Sequence, residues 1–362
     1  MIVCNFTRIR ILKCISAFTC WKRNSFIDHK KSFSIFVNKR NLVNTVLKEP
    51  WSVLFFGSDE FALESLKNLY SQYKLQKLLC RLEVVTAYKG KENCLTKYAI
   101  ENGITIHSWP LEIKNMEFHI GVVVSFGHLI PSLIIDSLPL GMINVHGSLL
   151  PRWRGSAPII HAIKNGDTKT GISIMTIMPK KFDIGSILAQ EETTIDLHET
   201  QPELYKRLAI MGSKLLIKTM EKLPQVLSSG IRQNEIGVTY APKIKPEISF
   251  IKWNEMNAKN VYDLNRSLTG LFPLKTNFNG QAIKVFDIQV FSDSIYVTRS
   301  ENIEPGTAFY HNRTDSLVVR CKDNTWVSIK VIGIPGRPKL SAFNFTNGFM
   351  GGKKQKFCLF TS

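Results

Sequence analysis

From residue 51 onward, short apolar runs alternate with stretches whose apolar positions recur at helical spacing. Ser52-Val-Leu-Phe-Phe56 is an apolar run that stops at Gly57 and reads as a strand. Glu60 to Tyr73 carries Phe61, Leu63, Leu66, Leu69 and Tyr70 near a 3.6-residue period, which predicts a helix. Residues 83–87 read as a second strand and 94–102 as a short helix. Residues 120–125 form a continuous, largely β-branched run, as expected of a strand buried on both faces of a parallel sheet. Residues 142–145 and 172–177 follow as strands. Between them a helix spans 157–165, entered through Ser156 and Pro158. This alternation predicts a Rossmann-like, doubly wound α/β domain over 49–224.

The pattern then changes. Residues 201–223 predict a longer helix with Leu204, Leu208, Met211, Leu215, Met220 and Leu223 on one face. Core packing accounts for that stripe. Residues 225–250 hold Gly230, Gly237, Pro242 and Pro246 and read as a linker with a short extended element. Over 251–362 the β-rich runs 283–288, 317–321 and 326–332 are separated by turn residues and predict a small β-barrel, OB-like, or a sandwich.

Composition alters this picture at the N-terminus. The 362 residues are 44% hydrophobic and 21% charged, with a net charge of +18. Residues 1–48 carry 10 Lys/Arg against the single acid Asp28, so half the excess lies there. Arg8, Arg10, Lys13, Lys22 and Arg23 are interleaved with Phe6, Ile9, Leu12, Ile15, Phe18 and Trp21. A basic, acid-poor, amphipathic segment reads as a mitochondrial targeting presequence; the alternative is a basic arm, free or lying on a membrane surface. Lys and Arg interrupt every apolar core that a secretory signal would need, and no run is long enough to span a membrane. Residues 246–362 carry 15 basic against 9 acidic residues, a second basic block. Seven scattered cysteines (4, 14, 20, 80, 94, 321 and 358) contain no C-x-x-C, which argues against a disulfide framework or a zinc site. Free thiols suit a reducing compartment such as the mitochondrial matrix.

Candidate chemistry sits at a strand end. Asn144 and His146 flank Val145, so both side chains point to one side of the predicted strand. Asp183 follows the next strand, in Lys180-Lys-Phe-Asp-Ile-Gly185. Open α/β sheets bind ligands beyond the carboxyl ends of their strands. An amide, an imidazole and a carboxylate there suit acyl transfer to an amine, which needs no Ser or Cys nucleophile. Asn144 and a protonated His146 would hold the oxyanion, and Asp183 would assist proton movement. The competing reading is that Asn144 caps a turn. The other histidines (29, 107, 119, 128, 161, 198 and 311) have no comparable companions and read as structural or surface residues.

Asn144-Val-His-Gly-Ser-Leu-Leu-Pro-Arg-Trp-Arg-Gly155, followed by Ser-Ala-Pro-Ile, resembles the signature of the methionyl-tRNA formyltransferase family. The resemblance extends through Phe55-Phe-Gly57, Ser125-Phe-Gly127-His-Leu-Ile-Pro131, Gly166-Asp167, Thr170-Gly171-Ile-Ser-Ile-Met175, Thr239-Tyr-Ala-Pro-Lys243 and Trp253, covering roughly residues 51–345. It implies a formyltransferase domain plus a tRNA-binding barrel. The implied reaction is transfer from 10-formyltetrahydrofolate to the α-amine of methionyl-tRNA, without a metal, by a monomer. Asn144, His146 and Asp183 match the catalytic trio. Ser148, Leu149, Leu150 and Pro151 match a folate-binding stretch, and the backbone of 125–130, with Ser125, Phe126, Gly127 and Leu129, would line the pterin pocket together with the loop before Asp183. Arg152, Arg154, Lys243 and Arg337 would contact tRNA, together with Lys245, Lys339, Lys353 and Lys354. Trp153 would stack on a base or pack beneath the arginines.

Two features depart from the bacterial pattern. The loop before Asp183 is one residue longer and reads Met178-Pro-Lys-Lys181 in place of an acidic turn. Only Tyr88-Lys-Gly-Lys-Glu92 stands where a long basic insertion is expected, which implies tRNA discrimination that is relaxed or moved to the C-terminal domain. Rival readings are another formyl-donor enzyme, acting on glycinamide ribonucleotide, an amino sugar or the donor itself, and a catalytically silent RNA-binding protein. Arg152-Trp-Arg-Gly155 and the basic tail speak against the first, the intact trio against the second.

Overall fold

The computed structural model describes residues 47–87, 91–111, 117–292, 303–350 and 357–362. The expected presequence falls almost wholly outside the described residues, as do Lys353, Lys354 and most of the Tyr88–Glu92 segment.

The first domain is built on strands β1 (Trp51–Gly57), β2 (Leu79–Thr86), β3 (Ile106–Ser108), β4 (Ile120–Val124), β5 (Met142–His146), β6 (Lys169–Thr176) and β7 (Ile187–Thr194). They lie in the order β3-β2-β1-β4-β5-β6-β7, parallel as far as β5 and antiparallel beyond it. Helices α1 (Glu60–Leu75), α2 (Cys94–Glu101), α3 (Ser132–Asp136), α4 (Pro158–Lys164) and α5 (Gln201–Met220) connect and cover them. Every residue of β1 and β4 is buried. Val53, Phe55, Val122 and Val124 belong to the core that includes the apolar residues of α1 and α5, whereas Leu54, Phe56 and Val123 belong to a second cluster with Phe126, Ile130 and Ile134. The period-2 alternation of a strand thus feeds two apolar layers, which is why Ser52, near the start of β1, is the one polar side chain in these two runs. Chain order reverses between β1 and β4, and the crevice that this opens lies beyond the carboxyl ends of β1, β4 and β5.

The second domain is an antiparallel sheet of β8 (Leu274–Phe278), β9 (Gln281–Phe291), β10 (Thr307–His311), β11 (Ser316–Arg320), β12 (Trp326–Gly333), β13 (Leu340–Ser341) and β14 (Phe357–Leu359). The path runs β14-β10-β11-β12-β9-β8, with β13 beside β12. Asn279-Gly280 joins β8 to β9 with both residues at positive φ (49° and 78°), the arrangement a two-residue hairpin requires. Just past β14, Thr361 exchanges backbone hydrogen bonds with Asn277 of β8, at 2.8 and 2.9 Å. The first and last strands of the path therefore meet, and the sheet closes into a barrel. Its core holds Trp253, Ile283, Val285, Ile329, Phe345 and Phe360, capped by Val261 and Leu264 of α7 (Ala258–Ser267). Ile160 of α4 is part of this second core, so α4 and α7 pack the two domains together.

The segment read as a linker is pinned along its length. After α6 (Gln225–Ser228), Ile231 exchanges backbone bonds with Ile187 of β7, and Tyr240 bridges Arg154. Arg154 donates to the Thr239 carbonyl (2.9 Å), and Ala241 donates to that of Arg154 (2.7 Å). Residues 231–241 thus form a strap across the first domain.

Candidate active site

Asn144 and His146 end β5 on the same side, at the crevice the topology predicts. Asp183 stands in the irregular loop after β6, at φ 55°. All three line one cavity of about 630 Å³. The His146 ring is oriented by its own loop: Nε2 lies 2.9 Å from the Trp153 carbonyl oxygen. A carbonyl can only accept, so Nε2 carries the hydrogen and Nδ1 is turned to the cavity side. Nδ1 stands 3.7 Å from Asp183 Oδ1, too far for a direct hydrogen bond. The other carboxylate oxygen accepts from the Gly155 N–H at 2.8 Å. Gly155 has φ 128°, and a Cβ there would lie 2.5 Å from the Ala241 carbonyl oxygen, so only glycine lets this N–H reach Asp183. The Asn144 side chain has no hydrogen-bond partner among the described residues and remains available to a ligand.

Ser125, Phe126, Gly127 and Leu129 form one wall of the cavity. The chain turns there through left-handed conformations, with φ 47° at Ser125 and 73° at Gly127. Ser125 Oγ donates to Asp59 Oδ2, while Asp59 Oδ1 caps α1 by accepting from the Ala62 N–H.

Ser148, Leu149, Leu150 and Pro151 do not line the cavity, contrary to their expected place at the folate. Ser148 Oγ donates to the Arg152 carbonyl (2.7 Å), and Ser173 Oγ donates to the Ser148 carbonyl and accepts from the Leu150 N–H. Leu149 lies over Gly171, where a Cβ would come within 2.6 Å of its methyl. These four residues shape the turn that delivers Trp153, Arg154 and Gly155.

The arginines divide. Arg152 is half-exposed and makes two hydrogen bonds to Asp167, at 2.7 and 2.5 Å, which hold its guanidinium more firmly in the charged form. Arg154 is only 6% exposed; its Nε donates to Gln233 Oε1 at 3.0 Å, and its side chain is not presented to an incoming tRNA. Trp153, 8% exposed, packs rather than offering a face for a base. Its indole N–H donates to Asp167 (2.7 Å), and its ring packs against Arg152 and His161. Lys243 is exposed beside Pro242 at the cavity rim, and Arg337 is exposed over Phe349 of α8 (Ala342–Phe349) on the barrel.

Sequence reasoning missed several neighbours. Phe61, Gln201 and Tyr205 line the cavity, and so do Lys181 and Phe182 of the loop before Asp183 and His128 of the 125–130 segment. Tyr205 accepts from the Phe61 N–H at 3.0 Å, and burial pushes its hydroxyl well up from the usual tyrosine range. Within α5 it was masked by the apolar stripe. Gln233 left no periodic signal, and Asp167 was marked only as part of the Gly166-Asp167 motif.

His161 gives a pH-dependent prediction. Burial holds its imidazole below the ordinary value, opposed by the Pro242 carbonyl, which accepts from Nε2 at 3.1 Å. As pH falls through about 6.5, the unfolded chain takes up this proton before the folded one does, so folding stability drops. Replacing His161 with glutamine is expected to flatten that loss between about pH 7 and 5, read as the pH dependence of the urea unfolding midpoint.

Comparison with known proteins agrees with the geometry. Residues 99–220 match the family model described as formyl transferase, and 243–350 match that of the formyl transferase C-terminal domain. The mitochondrial methionyl-tRNA formyltransferase of Homo sapiens is 38% identical over 316 residues, covering 85% of this chain and 80% of its own length. The chain belongs to the methionyl-tRNA formyltransferase family. A bacterial methionyl-tRNA formyltransferase, from Fusobacterium nucleatum, is 29% identical over 84% of this chain and 99% of its own. The fold is shared more widely. A sugar 3N-formyl transferase crystallised in the presence of dTDP and 5-N-formyl-THF aligns over 80% of this chain and 100% of its own, with a TM-score of 0.58 at 17% identity. HypX from Aquifex aeolicus in complex with tetrahydrofolic acid aligns over 84% and 48%, with a TM-score of 0.52 at 13% identity. Within the methionyl-tRNA formyltransferase family, this chain keeps the Rossmann-like sheet and the C-terminal barrel. Among its described residues no helix is long and apolar enough to cross a membrane.

Proposed function

We propose that this chain transfers the formyl group of 10-formyltetrahydrofolate to the α-amine of methionyl-tRNA, giving formylmethionyl-tRNA for initiation in the mitochondrial matrix, and that it acts as a monomer. The observation that carries the reading is the Nδ1–carboxylate pair, 3.7 Å apart, beside the Asn144 amide in a largely apolar cavity. The names and high coverage of the mitochondrial relatives support the substrate and the compartment.

With Nε2–H held by the Trp153 carbonyl, a neutral His146 presents a lone pair at Nδ1. Asp183 presents a second acceptor, and the gap between the two suits a proton donor, the attacking amine or a water. The amine nitrogen forms a bond to the formyl carbon as the carbonyl electrons move to oxygen. The Asn144 amide donates to that oxyanion. His146 accepts the amine proton, and Asp183 stabilises the resulting cation until the proton is returned to the departing tetrahydrofolate nitrogen. The apolar wall with backbone groups of residues 125–130 suits a flat heterocycle. Arg152, Lys243 and Arg337 are the candidates for tRNA contact.

The test is a formylation assay with 10-formyltetrahydrofolate and methionyl-tRNA, set against uncharged tRNA and glycinamide ribonucleotide. Formyl incorporation is expected only with methionyl-tRNA. Preferential labelling of glycinamide ribonucleotide, or tRNA binding without use of the donor, would overturn the reading.

A further inference from the structure

We infer that Gln233, in the strap between the two domains, is a positioning residue that fixes Asp183 against His146, so that residues 231–241 belong to the active site rather than to a linker. This rests on the functional reading above.

Gln233 is buried at 6% exposure, and every polar atom of its carboxamide is used. Nε2 donates to the carbonyls of Asp183 and Gly185, both at 2.9 Å. Oε1 accepts from Arg154 Nε at 3.0 Å. One side chain therefore joins the backbone beneath the Asp183 carboxylate to the residue preceding Gly155, whose N–H holds that carboxylate at 2.8 Å. Asp183 stands at φ 55°, a left-handed conformation uncommon outside glycine although aspartate is among the residues that adopt it, and these bonds hold it there. The loop also presses on β6 so closely that a Cβ at Gly185 would lie 1.7 Å from the Thr176 carbonyl oxygen. Gln233 Nε2 lies 3.8 Å from Met175 Sδ of β6 as well, so the carboxamide and β6 hold the loop together.

The strap reaches His146 as well. Thr239 Oγ1 accepts from the Trp153 N–H at 2.9 Å, and the Trp153 carbonyl orients the imidazole. Both members of the pair are consequently set from the same strap, one through Gln233 and the other through Thr239.

The experiment compares the full chain with Gln233→Glu and Gln233→Asn. Glutamate keeps the shape and the Arg154 contact but sets an acceptor against two carbonyls. Asparagine keeps the carboxamide one methylene short. Folded fraction is measured by near-UV circular dichroism, and kcat and both KM values by formyl transfer. For Gln233→Glu, kcat per folded molecule is expected to fall about 10²-fold, with both KM values within about threefold of the parent. Gln233→Asn is expected to fall between the two. A role confined to folding would instead lower the folded fraction and leave kcat per folded molecule unchanged. Either variant at parental kcat per folded molecule would overturn the inference. Turnover by the parent chain checks the functional reading separately.

Discussion

Asp183→Asn is expected to lower kcat for formyl transfer by about 10³-fold, within the range usually supplied by positioned proton transfer. The substitution is nearly isosteric, and an amide oxygen can still accept the Gly155 N–H seen at 2.8 Å. What changes is the group facing His146. An amide nitrogen turned toward Nδ1 would donate to it and occupy the lone pair that the reaction uses, and the imidazolium formed on proton uptake would have no counter-charge 3.7 Å away. His146→Ala removes the proton acceptor itself and is expected to cost as much. Since the two act as one unit, the double variant is expected to be little worse than either alone. Steady-state kinetics with methionyl-tRNA checks all three. Near-parental turnover in either single variant, or multiplicative losses in the double, would show that the pair does not move the proton.

The second large effect falls on stability. Trp153→Ala is expected to destabilise the fold by about 3–5 kcal/mol, the usual range for truncating a buried aromatic. The indole is enclosed by Arg152 and His161, and its N–H is satisfied by Asp167. Removing it would also leave Asp167 with fewer donors. Had the ring served to stack on a base, the substitution would raise KM for tRNA and leave the urea midpoint in place. The expected pattern is the reverse at first order: a shifted midpoint, and lost turnover through a loosened Trp153 carbonyl and a misdirected His146. Equilibrium unfolding in urea beside the tRNA KM separates the two.

The sequence made the sheet legible where burial is two-sided. The runs at β1 and β4 are apolar apart from Ser52 because each of their faces meets an apolar layer. It hid β7, an edge strand in which Gln190, Glu191 and Glu192 interrupt the pattern, and β3, only three residues long. β14 was hidden too, because barrel closure depends on pairing between Asn277 and Thr361, residues far apart in the chain. The site was legible in part for the same reason. Asn144 and His146 stand two apart on one strand, a relation that spacing alone reveals. Asp183 and its neighbourhood were readable through the motif. Arg154 was misread because a guanidinium in sequence suggests an anion, and nothing in the sequence announces that Gln233, 79 residues away, would take it into the interior. The Ser148–Pro151 stretch, expected at the folate, lies outside the cavity lining. Its hydrogen bonds, with Ser173 and Arg152 as partners, are those of a turn beside the cavity.

The pinned strap sets where this molecule can be recombined. A chimera that grafts a new acceptor-binding module onto the first domain would, by composition, be spliced near residue 225, where the long helix α5 has ended. That splice would leave behind Gln233, Thr239 and Ala241, and with them the supports of Asp183, Trp153 and Gly155. The portable unit extends through Ala241. Any exchange of substrate modules in this architecture must carry the strap with the catalytic half, or rebuild its contacts from the incoming sequence.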